Sequence, residues 1–147
     1  MNQAKYRFNR KDGKIYLDRE QILTEVGSEL RMIILQASEP IWGKPFEHLI
    51  AQHWVNLTFI DPNSNYCRGM LSDGTTNALR PWLEYRKLVE SKGFELLEVV
   101  TTIGFEPIDS EIKWFDYKFS GIAGKPGVAD RMRAILSEFQ IEPLALK

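Results

Sequence analysis

The sequence predicts an α+β protein that is mainly β: a five-stranded antiparallel barrel with a helix between strands three and four and a second helix at the C-terminus. Three observations carry that expectation. Strand-like apolar runs come first, over residues 30–37, 53–60 and 66–71. A helical run follows at about 81–92, and a long strand pair at 96–105 and 112–121 comes last. The chain of 147 residues is the size of one domain, and it divides into an N-terminal extension (1–29), the barrel (30–121) and a C-terminal helix with its tail (122–147).

The extension opens with a hairpin, because Asp12-Gly13 supplies the positive φ that a tight turn needs between residues 6–10 and 14–17. Asp18 followed three residues later by Gln21 matches a capping box. Ile22, Leu23 and Val26 then share a helical face, so a brief helix is expected before Gly27. After the first barrel strand, Pro40, Gly43 and Pro45 break the pattern, and Trp42 and Phe46 fall in an irregular binding loop or flap.

The next hairpin is the best marked. Val55, Leu57 and Phe59 alternate with Trp54, Asn56 and Thr58, which gives one apolar and one mixed face. Residues 61–65 are turn formers, and Gly69 in the returning strand marks a bulge or a close backbone approach. In the helical run Pro81 suits the first turn, and Trp82, Tyr85, Leu88 and Val89 form an apolar stripe. In the last strand Phe115, Tyr117 and Phe119 face the core, leaving Ile112, Trp114 and Lys118 on the other face. The closing helix, at about 126–139, gathers Val128, Met132, Ile135, Leu136 and Phe139 on one side.

Charge and motifs narrow the function classes. A net charge of −1 weighs against tight, sequence-independent binding to duplex DNA, which leans on many Lys and Arg contacts to phosphate. No apolar run is long enough to span a bilayer, the N-terminus carries no signal-type segment, and the single cysteine allows no internal disulfide. A cytoplasmic protein without membrane contact is expected.

No catalytic signature stands out, and a non-enzymatic protein without cofactor or metal is expected. Cys67 paired with His48 or His53 would be a nucleophile and base, but a cysteine within a strand reads as a small buried hydrophobe. Glu47, His48, His53 and Asp61 match no zinc spacing. Glu106, Asp109 and Glu111 sit at a hairpin tip, too open to tune paired carboxylates. The run from Gly121 to Gly127 lacks the Ser or Thr that follows Lys in a phosphate loop, and Pro126 removes a donor amide.

The element order β-β-β-α-β-β resembles OB-type single-stranded nucleic-acid-binding domains, without a specific motif. That resemblance implies a single strand of DNA or RNA held by aromatic stacking with modest electrostatic help. Cations that neighbour aromatics on faces not claimed by the core are the expected contacts: Arg7, Arg10 and Lys11 in the N-terminal arm, Tyr66 and Arg68 on the third strand, Trp114 and Lys118 on the last. The competing expectation is a protein-protein interaction module, such as an inhibitor, an accessory subunit or a homo-oligomer, for which near-zero charge speaks.

Overall fold

A computed structural model describes residues 4–44, 50–72, 78–107 and 115–138. The strands are β1 (Ala4–Asn9), β2 (Lys14–Arg19), β3 (Ile22–Gly27), β4 (Glu29–Ala37), β5 (Ile41–Gly43), β6 (Gln52–Ile60), β7 (Tyr66–Ser72), β8 (Val99–Pro107) and β9 (Phe115–Ala123); the helices are α1 (Arg80–Ser91) and α2 (Val128–Glu138). They form one curled mixed sheet, a half-barrel, in the order β3-β2-β1-β7-β6-β4-β8-β9, with β5 also on β6. Among the described residues nine strands replace the expected five, and the β1–β7 pair is parallel where an all-antiparallel sheet was expected.

The β1–β2 hairpin forms as its turn chemistry dictates: Gly13 takes φ 67° and donates its N–H to the Asn9 carbonyl at 2.9 Å, and Asp12 accepts from the Lys14 N–H. The brief helix expected after Asp18 is instead strand β3. Asp18 does accept the Gln21 N–H at 3.0 Å, but it caps a hairpin turn in which Glu20 and Gln21 both take positive φ. An Asp-x-x-Gln spacing serves a tight turn as well as a helix start.

β4 bends between two partners. Its first half pairs β8, from Glu29↔Gly104 to Met32↔Thr101, and its second half pairs β6 through a bulge, ending at Ala37↔Leu57. Side chains of one parity then line the concave side, where Ile34, Val55, Leu57, Phe59, Leu71 and Ile103 are fully buried. Each such burial stabilises by about 1.5–3 kcal/mol. Helix α1 fills the concavity. Trp82 packs edge-on against Phe119 at 5.4 Å, and Tyr85 stacks on the same ring at 5.6 Å while hydrogen-bonding Thr101 at 2.7 Å. Gly121 makes that possible, because a Cβ there would collide with the Tyr85 hydroxyl.

Helix α2 covers part of the opposite face, where Val128, Met132, Ile135 and Leu136 pack on Ile33, Leu35, Ile60, Tyr66 and Leu97. The β9 end of the sheet closes on the β1–β2 turn at Arg10. The Phe115 N–H donates to the Arg10 carbonyl at 2.9 Å, and Arg10 Nε donates to the Phe115 carbonyl at 2.9 Å. Its guanidinium also lies 3.7 Å from Asp116 and over the Tyr117 ring. Of the expected core side chains, Val55, Leu57, Phe59 and Tyr117 are buried, while Phe115 and Phe119 are half-buried.

Candidate nucleic-acid interface

Strands β1 and β7 are paired only at Ala4↔Cys67 and Lys5↔Arg68. Beyond that point they diverge and leave a cleft of about 360 Å³ between Tyr6, Arg7 and Phe8 on one wall and Gly69, Met70 and Ser72 on the other. Its floor is apolar. A Cβ on Gly69 would lie 2.6 Å from the Phe8 ring, so only glycine lets that ring lie against β7. Met70 and Asn56 complete the lining, and Lys5, Arg7 and Arg68 bring three cations to it.

Register explains that convergence. Lys5 and Arg7 alternate outward along β1, and Lys5 stands beside Arg68 of β7, which in turn opposes Thr58 of β6. Asp18, buried on β2, accepts from Arg7 Nε at 2.9 Å and holds that side chain in place. Arg68 is exposed and has no side-chain partner among the described residues. Three cations against one carboxylate leave the cleft a positive excess.

A buried polar knot anchors the cleft from beneath. Tyr6 donates its hydroxyl to Asp61 at 2.8 Å, and the same carboxylate accepts the backbone N–H groups of Asn63 and Asn65 at 2.9 and 2.8 Å and the Asn65 amide at 3.2 Å. Burial opposes the Asp61 charge, but those four donors outweigh it and hold its pKa below the usual value of 3.8. Burial and the bond to Asp61 push the Tyr6 phenol well above 10.0. Tyr117 ties the far wall, accepting the Ser72 N–H at 3.1 Å.

The structure distributes the sequence-predicted residues unevenly. Arg7 and Arg68 meet at the cleft. Arg10 is buried as the latch between β1 and β9, and Tyr66 is buried under α2, so neither reaches the surface as expected. Lys11 is exposed in the β1–β2 turn, with its backbone N–H on the Asn9 side chain at 2.8 Å. Lys118 is exposed on β9, between grooves lined by Leu88 and Glu106 on one side and Glu29 and Ser120 on the other; neither groove shares a residue with the cleft. Trp114 lies outside the described residues. Lys5 and Met70 line the cleft without having been expected there, and the outward alternation of Lys5 with Arg7 was the available signal for the first.

Cys67 is buried with its Sγ 3.3 Å from the Asn65 carbonyl, and burial followed by the nearby Asp61 charge pushes its pKa up to about 12, where it stays a protonated thiol. Among the described residues no three His, Cys, Asp or Glu side chains gather as a metal site; Glu47, His48, Asp109 and Glu111 lie outside them. No described helix is long and apolar enough to cross a membrane. Trp42, 64% exposed on β5, stands edge-on to His53 at 4.8 Å, and Phe46 lies outside the described residues.

No protein-family model, no curated protein and no solved structure matches the chain.

Proposed function

We propose that this is a non-enzymatic binding protein that takes a single strand of DNA or RNA across the outer face of β1, β7 and β6. The observation that carries the reading is Arg68, without a side-chain partner among the described residues, beside Lys5 at the mouth of a cleft floored by Phe8 and Met70. Phosphate pairing at the rim with a base against the apolar floor is the combination a flexible anionic strand rewards.

The connectivity supports it too. β4, β6, β7, α1, β8 and β9 come in that order, with the short β5 between the first two, and β4 bridges β6 and β8, a path akin to an OB-type barrel, in which the second and third strands form the ligand face. On that reading β6 and β7 are the second and third strands, and β1 lies alongside as an added neighbour that extends the face. The test is an anisotropy titration with labelled single-stranded oligonucleotides and their duplexes at about 50 mM salt. Binding of the single strand in preference to the duplex is the expected result; no binding of either defeats the reading.

The second reading, a protein-interaction module, draws on a different place. Ile22, Leu23 and Val26 of β3 are 70%, 53% and 40% exposed on an edge strand.

A further inference from the structure

We infer that the bound strand leaves the cleft along β6 and β7 onto Trp54, and that Trp54, not the far more exposed Trp42, stacks its next base. The inference rests on the nucleic-acid reading of the cleft and adds the course of the strand to it. Antiparallel pairing sets the outer face of β6 and β7 out in rows: Ile60 with Tyr66, Thr58 with Arg68, Asn56 with Met70, and Trp54 with Ser72. Helix α2 lies over the first row, packed on Ile60 and Tyr66, and closes that way out of the cleft. The other way leads to Trp54. Arg68, Asn56, Met70 and Ser72 all line the cleft, and Ser72 is the register partner of Trp54. From the Arg68 row to the Trp54 row is about 13 Å, at ~3.3 Å per residue.

Trp54 has the surface for stacking. It is half-buried, and its indole N–H is buried without a partner among the described residues, so the part of the side chain that meets solvent is ring carbon. A ring face takes any base, whereas an exposed hydrogen-bonding edge would select among them. Ile41 of β5 opposes Trp54 on the side away from Ser72, which carries the apolar surface past the end of the cleft. Register excludes the other tryptophan. Trp42 opposes His53 and touches its ring, and His53 shares the parity of Val55, Leu57 and Phe59, the core side of the sheet. Its greater exposure is therefore on the wrong face for a strand held by Arg68.

Two measurements on the full chain test the course of the strand. In the first, a single-stranded oligonucleotide carrying 5-iodouracil is irradiated on the wild-type protein, and the linked residues are read by mass spectrometry. A link to Trp54 is expected, and none to Trp42. In the second, anisotropy titrations compare variants: Trp54→Ala is expected to bind roughly 5- to 150-fold more weakly, Trp54→Phe to stay within about threefold of wild type, and Trp42→Ala to bind as wild type does. Stacking pairs no phosphate, so the salt slope of Trp54→Ala should match wild type while Arg68→Ala flattens it. Links confined to residues other than Trp54, equal affinity of Trp54→Ala and wild type, a comparable loss in Trp42→Ala, or a flattened slope in Trp54→Ala overturns the inference. If Arg68→Ala still weakens binding in those cases, the cleft keeps its reading. A wild-type protein that binds no oligonucleotide overturns both.

Discussion

Removing the Tyr6 hydroxyl is the sharpest test of how the cleft is held. In Tyr6→Phe the ring stays packed 5.6 Å from Phe59, and Asp61 keeps three of its four donors, so the change isolates one buried hydrogen bond to a carboxylate. Such a bond is worth about 1.5–3 kcal/mol. With a urea m-value of about 2 kcal/mol/M for a chain of this size, the unfolding midpoint should fall by about 1 M. The pH dependence carries a second check. Asp61 has a depressed pKa, so its contribution is present above 3.8 and is lost as pH falls through the lower folded value. Tyr6 has a raised pKa, so its contribution is complete below 10.0 and is lost as pH rises through the folded value. The gap between wild type and Tyr6→Phe should therefore be widest between those limits and narrow outside them. A gap under about 0.5 kcal/mol at neutral pH, or one that grows in acid, would refute the reasoning.

Three further outcomes follow from local geometry. Thr58 is fully buried, and its hydroxyl has no partner among the described residues, so Thr58→Val should stabilise the fold by about 1 kcal/mol in the same urea assay. The β2–β3 turn holds Glu20 and Gln21 at φ 53° and 71°, so the double substitution Glu20→Asn with Gln21→Gly should raise stability by about 1 kcal/mol, read as a higher midpoint. Gly121→Ala should cost about 1–3 kcal/mol in thermal unfolding, because Tyr85 is fixed by Thr101 and by its stack on Phe119 and has little room to yield.

Alternation made the central strands legible. The expected runs 53–60 and 66–71 differ by one residue each from Gln52–Ile60 and Tyr66–Ser72, because burial on one face writes a period of two into the residues. β3 escaped because an edge strand with both faces exposed has no such period, and Ile22, Leu23 and Val26 fit a helical stripe equally well. Residues 96–98, expected in a strand, form a 3-10 turn in which Glu95 and Glu98 cap one another's backbone. At the site, Arg68 and Arg7 were legible as outward cations on their strands. Arg10 and Tyr66 were not legible as buried, since nothing local in the sequence says that β9 would close on the β1–β2 turn or where α2 would dock.

The salt dependence of oligonucleotide binding, compared between wild type and Arg68→Ala, tests the central claim most directly. Three phosphate contacts from Lys5, Arg7 and Arg68 imply a slope of about −2 in log K against log salt, at about 0.7 per phosphate on a single strand. Arg68 is exposed and, among the described residues, makes no side-chain contact that the fold relies on, so its loss should leave stability unchanged, weaken binding, and flatten the slope by about 0.7. Equal slopes and affinities for the two proteins would contradict the assignment of the β1–β7 cleft as the nucleic-acid site.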